Sequence, residues 1–361
     1  MAYTTINKPN QYFDTQLWTG TNASGRTFTG LNFQPNFIWS KCRNSANYNH
    51  VIVDRVRGGN YFIFPNSTVA EDNKSHGEIT SWNSDGSTWI DGTNVTYPRA
   101  YYNDGAGSAL GGSTYVSWNW KAGDSAGLSN TAGSITSTVS ANTTSGFSIV
   151  SWAGNQTAGA SCGHGLGVAP SMIFKRRRNG DGADFWYVYH KSLGNSNSVY
   201  LNDTSGSAAS GAWNSQTPTS TVFYHGSSIR ENGGNMIAYC FAPIKGYSAF
   251  ASYTGNGSTD GTFIYTGFKP AFVLIKCSSA AENWHIFDDV RNTYNTADKD
   301  LRPNTTGAET TSSLSNIDFL SNGFKLRNGD ADYNGSGTTY IGFAVAEQPF
   351  VSSKSIPTTA R

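Results

Sequence analysis

Six histidines, four cysteines and 24 acidic side chains are the groups from which this 361-residue chain would build a catalytic or metal centre. His50, His76, His164, His190, His225 and His285 fall in separate apolar runs and turns with no shared spacing. Zinc needs three or four convergent ligands, so these histidines are expected to be isolated. His164 stands out because Gly163 and Gly165 leave its ring accessible, and a turn residue accounts for it better than a catalytic base does. Cys42, Cys162, Cys240 and Cys277 are far apart with no Cys-x-x-Cys, and Cys42, Cys240 and Cys277 adjoin apolar runs, which reads as buried thiols. Asp330, Asp332 and Asn334, followed by Gly335, copy the opening of a calcium loop, but the twelfth position is Ile341 where a bidentate Glu belongs. A turn rich in Asp, Asn and Gly has the same letters for backbone reasons. No nucleophile elbow and no acidic pair for glycoside cleavage is assigned, so the expectation is no catalytic residue, no cofactor and no metal.

Other groups point to surfaces. Lys175, Arg176, Arg177 and Arg178 form the one basic run, leaving an apolar strand where related stretches carry Lys41 and Lys276. Asn66, Asn202 and Asn304 each begin an Asn-x-Thr triplet, read as turn chemistry. Trp82, Trp89, Tyr97, Tyr101 and Tyr102 lie among Gly, Asp and Asn in a long polar stretch. Such rings stack on sugar faces or anchor a protein contact, and they equally serve to cover the end of a sandwich. The ligand-binding candidates are Trp89, Tyr97, Tyr101 and Tyr102.

The elements that position these residues are strands. Charged residues are 14% of the chain and the net charge is +1, too little for a field that holds a phosphate backbone or an anionic membrane. Ten Trp, 19 Tyr and 20 Phe exclude a disordered chain, and 40 Gly among Ser, Thr and Asn supply frequent turns between short strands. No run approaches a bilayer span, and the first residues lack a secretion-signal pattern.

A threefold repeat organises the strands. An aromatic residue before Gly recurs at Trp18, Trp152 and Tyr253. A Pro then opens an apolar strand closed by a base: Pro35 to Lys41, Pro170 to Lys175 and Pro270 to Lys276. A second strand follows at His50, Trp186 and Trp284, then the Asn-x-Thr triplet, then a closing strand at Tyr115, Met236 and Tyr340. The reading is all-β, with three tandem diverged antiparallel β-sandwich units of jelly-roll or lectin-like type: 1–122, 146–248 and 249–361. Residues 123–145, rich in Ser, Thr and Gly, read as a flexible linker. The units have the length of independent sandwiches, and the last two, joined directly, are expected to pack as a pair.

Further residues carry a resemblance: Ile6-Asn7-Lys8-Pro9, Asp54-Arg55-Val56-Arg57-Gly58, Asn83-Ser84-Asp85-Gly86, the stretch Tyr115 to Gly123, and Asp318 to Leu326. Together they resemble repeat-domain, tail-fibre-like virion proteins of tailed bacteriophages, especially phages of marine bacteria and cyanobacteria. The resemblance implies a non-enzymatic virion protein made in the host cytoplasm, with other tail or capsid proteins as partners and no nucleic acid or membrane insertion. It implies a tail-fibre or host-attachment component recognising cell-surface glycan, associating as a homo-oligomer, with a trimer favoured. A capsid decoration or head-fibre protein is the alternative, and a polysaccharide depolymerase the third reading.

Overall fold

Successive side chains of a strand point to opposite faces, so Phe37-Ile38-Trp39 or Phe272-Val273-Leu274 can be apolar throughout only where both faces of the sheet are covered. The structure is a computed structural model that describes residues 3–104, 112–352, 354 and 356–358; the end of the C-terminal tail lies outside the described residues. It is all-β, 42% strand and 2% helical. Thirteen strands position everything below. They are β1 (Phe13–Thr19), β2 (Phe37–Cys42), β3 (Val51–Asp54), β4 (Thr114–Trp120), β5 (Ser137–Asn142), β6 (Phe147–Asn155), β7 (Met172–Arg177), β8 (Tyr187–His190), β9 (Gly233–Phe241), β10 (Ser248–Thr254), β11 (Phe268–Cys277), β12 (Trp284–Asp288) and β13 (Thr339–Pro349).

One antiparallel order recurs three times: β1-β4-β2-β3, β6-β9-β7-β8 and β10-β13-β11-β12. We call these the first, middle and last sheets. Their inner faces meet in one core, which differs from the expectation of independent sandwiches with only the last two paired. Phe37 packs on Tyr239 at 4.7 Å between ring centres, Phe13 on Phe272 at 5.6 Å and Phe241 on Phe343 at 5.0 Å, so every pair of sheets is joined by aromatic rings. The outer faces have separate cores, each closed by smaller strands such as Glu78–Asn83 and Gly86–Ile90 on the first sheet. Residues 123–145 also differ from expectation. They contribute Leu128–Asn130 and β5, which extend the middle sheet beside β6, because Ser and Thr side chains suit a half-exposed strand and Ser140 Oγ accepts from Gly123 N–H at 3.1 Å.

The repeated residues have repeated work. A Cβ on Gly20, Gly154 or Gly255 would lie 2.3–2.4 Å from the main chain of Asp104, Asn232 or Gly335, so the aromatic-Gly turn needs a residue without one. That approach brings the turn against Asn103, Asn232 and Asn334, all fully buried; Asn103 Oδ1 accepts from Thr21 N–H at 3.0 Å and Asn334 Oδ1 from Asn256 N–H at 3.1 Å. The Asn-x-Thr asparagines accept from the start of the preceding strand, at His50 (2.9 Å), Trp186 (2.8 Å) and Trp284 (3.0 Å).

The base that closes the Pro-opened strand is Lys41, Arg176 and Lys276, one place later in the middle sheet than the sequence reading of Lys175. The register proves it, since these three oppose Val116, Ile237 and Ile341 on the closing strands. All three are buried and reach into a different sheet's Asn-x-Thr loop. Lys41 Nζ donates to Thr306 O (2.9 Å), Arg176 Nη1 to Ser67 O (2.7 Å) and Lys276 Nζ to Thr204 O (2.7 Å). Lys175, facing the other way, donates to Ala212 O and lies 4.4 Å from the Trp213 ring centre.

Truncating such a cation strands two or three buried carbonyls. Arg176→Ala is expected to destabilise the chain by about 3 kcal/mol or more in urea denaturation. Lys191→Ala, at an exposed position in the turn after β8, is expected to change it by less than about 0.5 kcal/mol.

Candidate functional site

Charged side chains inside a β core must be paired, and the ions at the sheet boundaries are. Asp54 accepts from Arg57 Nε (2.5 Å) and from Tyr239 OH of the middle sheet (2.8 Å). Asp288 accepts from Arg291 Nε (2.5 Å) and from Trp118 Nε1 of the first sheet (2.9 Å). Glu71 joins Arg57 (3.2 Å) to Arg178 (2.8 Å), and Glu309 joins Arg291 (3.1 Å) to Arg43 (2.6 Å). Two of the three boundaries between sheets therefore carry the same relay of Arg, Glu and Arg. At the third, His190, Leu193, Ser207, Ser278 and Phe343 occupy the equivalent places, and only the main-chain bond from Ser207 N–H to Ser278 O (2.7 Å) is kept.

The basic run is absorbed into this fastening. Arg177 pairs with Asp184 at 2.7 Å and Arg178 with Glu71, so three of its four residues bind the protein's own carboxylates or carbonyls across or beside a boundary, and Lys175 caps Ala212.

A second cluster belongs to the last sheet alone. His285 occupies the place of Val51 and Tyr187, facing the outer core. Its Nδ1 lies 3.0 Å from Asp300 and its Nε2 3.1 Å from Asp332, while Arg302 approaches the same carboxylates at 3.2 and 3.6 Å. Burial alone would lower the imidazole pKa, but the two carboxylates outweigh it and raise it to about 9. Asp332 is held well below the usual carboxylate range: burial opposes this, and the bonds from His285 and Glu282 overcome it. Glu282, sharing a hydrogen bond with Asp332, is pushed up to about 7. The arrangement holds an imidazolium between two carboxylates. It resembles the orienting half of an acid–base site, yet the larger clefts, of about 640, 550 and 450 Å³, are lined by other residues.

The sequence candidates are dispersed. Trp89, Tyr101 and Tyr102 are core residues of the first sheet, donating to Ser87 Oγ (2.9 Å), Asp72 (2.8 Å) and Asp91 (2.9 Å), so their faces are closed to a sugar. Their polar neighbours misled the reading, because each ring buries its body and spends its polar atom on a loop carboxylate or hydroxyl. Tyr97 is 47% exposed and remains free to meet a ligand. The calcium-like letters Asp330, Asp332 and Asn334 form a turn: Asp330 Oδ1 accepts from Asp332 N–H (2.9 Å), Asp332 serves His285, and Asn334 is buried. His164 is buried, with Nδ1 accepting from Leu166 N–H at 3.2 Å. All four cysteines are buried and free.

Two stretches with the letters of a nucleophile elbow escaped the sequence reading. In Gly123-Asp124-Ser125-Ala126-Gly127, Ser125 Oγ accepts from Gly127 N–H (3.2 Å) within a bend. In Gly159-Ala160-Ser161-Cys162-Gly163, Ser161 Oγ accepts from Ser134 N–H (3.1 Å) in a strand. Neither lies at a strand-to-helix turn, the geometry that exposes a nucleophilic serine. The His285 cluster was missed because Asp300 and Asp332 lie 15 and 47 residues away, with nothing in the letters to join them.

A family model described as a domain of unknown function (DUF7483) matches residues 8–349. No curated protein matches the chain.

Titration separates a structural imidazolium from a neutral core histidine. A histidine whose pKa is raised on folding stabilises fully below its unfolded pKa near 6.5 and loses that contribution as pH rises through about 9. Lys41 and Lys276, lowered to about 8 by burial, act oppositely, so the wild-type slope alone is mixed. The destabilisation caused by His285→Val is therefore expected to shrink by up to about 3 kcal/mol between pH 6 and pH 10 in paired urea titrations.

Proposed function

The chain belongs to the DUF7483 family, and from that premise we propose that it is a non-enzymatic structural protein of a tailed-phage particle, a tail-fibre or host-attachment component that meets cell-surface glycan through exposed loops. One observation carries the non-enzymatic part. The clustered acids and the one charged histidine hold sheets and loops to one another: Asp54, Asp288, Glu71 and Glu309 across boundaries, His285 and Asp332 within the last unit. The particle assignment rests on the resemblance of the repeat residues to phage virion proteins.

A shared aromatic core with charged relays at two boundaries suits a part that must survive outside a cell, because three sheets wrapped on one core expose loops and leave few buried faces to lose. The glycan part of the proposal rests on Tyr97, held by a loop in which Asn94 Oδ1 accepts from Thr96 and Tyr97 N–H at 2.9 and 2.8 Å. An aromatic face fixed on a rigid turn is the usual platform for a sugar ring. With this reading goes association of three chains into a trimer.

Two measurements test it. Antibody labelling of intact particles by electron microscopy is expected to mark the tail; label across the head assigns the chain to capsid decoration, and unlabelled particles remove the structural reading. Tyr97→Ala is expected to weaken binding of purified protein to host cells at least tenfold with an unchanged melting curve. Trp89→Ala is instead expected to cost about 3 kcal/mol of stability.

A further inference from the structure

A strand that ends a sheet offers unused main-chain N–H and C=O groups to any extended segment that fits beside it. β1 ends the first sheet, whereas β6, its counterpart in the middle sheet, is flanked by β5. Phe147, Ile149 and Ser151 of β6 turn their main chain away from β9 and pair with Asn142, Ser140 and Thr138. In β1, the bonds from Lys121 N–H to Tyr12 O (2.8 Å) and from Gly20 N–H to Ser113 O (2.7 Å) set the even residues toward β4. Phe13, Thr15 and Leu17 therefore turn outward, in the places of Phe147, Ile149 and Ser151.

Where β5 would lie, the first sheet has a cleft of about 640 Å³ lined by Phe13, Asp14 and Thr15 and, across it, by Ala271, Asp289 and Glu347. The same frame in the middle sheet holds the chain that leads to Leu128–Asn130 and packs on the end of β5, where Gly123 N–H donates to Ser140 Oγ at 3.1 Å. Asn36 and Arg55, the counterparts of Ala271 and Asp289, donate to Gly123 O (2.8 Å) and Asp124 O (3.0 Å). What differs is charge: Asp14, Asp289 and Glu347 replace Ser148, Arg55 and Ala122; Lys8 is the one base in the lining, and Lys269 pairs with Glu347 at 3.2 Å, so the acids still outnumber the bases by one. Thr15 N–H donates to Asp14 Oδ1 at 2.8 Å, where a neighbouring strand would supply a carbonyl, and Thr15 Oγ1 is buried without a partner. Burial pushes the Asp14 carboxyl up to about 6, so this acid gains from a cation placed beside it.

We propose that the cleft beside β1 receives an extended, basic segment of another protein, added as an antiparallel strand in the manner of β5 on β6. The segment would pair with Phe13, Thr15 and Leu17 and set a Lys or Arg against Asp14, which releases Thr15 N–H as the strand's carbonyl takes its place. The proposal stands apart from the virion reading, since it rests on the repeat within this chain.

The probe is a synthetic peptide of residues 137–142 with a lysine added at each end, mixed with the full chain. Amide hydrogen exchange is expected to slow at Phe13, Thr15 and Leu17, and the affinity to fall at least tenfold with glutamates in place of the lysines, or with Leu17→Pro. Leu17 is 38% exposed and its N–H faces outward, so proline removes the edge donor without touching the β4 ladder, and an unchanged melting curve verifies the fold. No protection at millimolar peptide overturns the proposal and leaves Asp14 as a guard that keeps the edge unpaired. Binding that Leu17→Pro or the glutamate peptide leaves unchanged overturns it as well. Self-association of the free chain in sedimentation, lost in Leu17→Pro, would replace the basic segment with a second copy.

Discussion

Three long cations at the ends of three buried strands set the terms for the rest of the molecule. An ammonium or guanidinium taken from water costs several kcal/mol unless oxygen atoms replace the lost solvent. Lys41, Arg176 and Lys276 find those oxygens on the Asn-x-Thr loops of a different sheet, so none is satisfied by its own unit alone. The requirement makes assembly of the three sheets a single event: each sheet needs a neighbour's loop for its cation and provides a loop for another's. The apolar faces then close on one core with aromatic contacts at every boundary.

The boundaries are alike in geometry and unlike in chemistry. Where Glu71 and Glu309 link two arginines each, the third boundary has serines, a leucine and a phenylalanine in the same places. The replacements are mutually consistent. Removing the acid at Ser207 without removing the bases at Leu193 and Ser278 would strand a buried charge, and a phenol opposite His190 would lack the carboxylate that Tyr239 has in Asp54. The copies therefore differ by a whole polar set against a neutral one, the difference that costs least because both partners change together.

The same logic separates structure from surface. Side chains with reactive groups are buried where they fasten something, and rings on polar stretches are buried where a hydroxyl or indole N–H can reach a loop acceptor. Among the described residues, the molecule presents outward turns, exposed rings such as Tyr97, Tyr265 and Tyr294, and sheet edges that include β1 beside its cleft. Recognition by this chain is expected to run through those, with the core serving as a rigid mount.

Much was legible in the letters because period-two patterning, turn residues and composition are local. The all-β class follows from aromatics and β-branched residues between Gly-rich turns, and the recurring aromatic-Gly, Pro, Asn-x-Thr and closing-strand marks locate strands that the structure contains. Asn66, Asn202 and Asn304 do lie in turns, but their side chains bond chain 16 to 20 residues back, which local spacing does not show. Tertiary structure alone decided which face each residue joins. A shift of one place, from Lys175 to Arg176, moves a base from an outer core to a boundary between sheets, and adjacent letters cannot distinguish the two. It alone placed Trp89, Tyr101 and Tyr102 inside, drew β5 out of an apparent linker, and brought Asp300 and Asp332 to His285. Alternation states that a side chain points up or down; what lies there is set by chain brought in from elsewhere in the sequence, 15 residues away for Asp300 and 109 for the Ser67 carbonyl at Arg176, and burial is a property of that return.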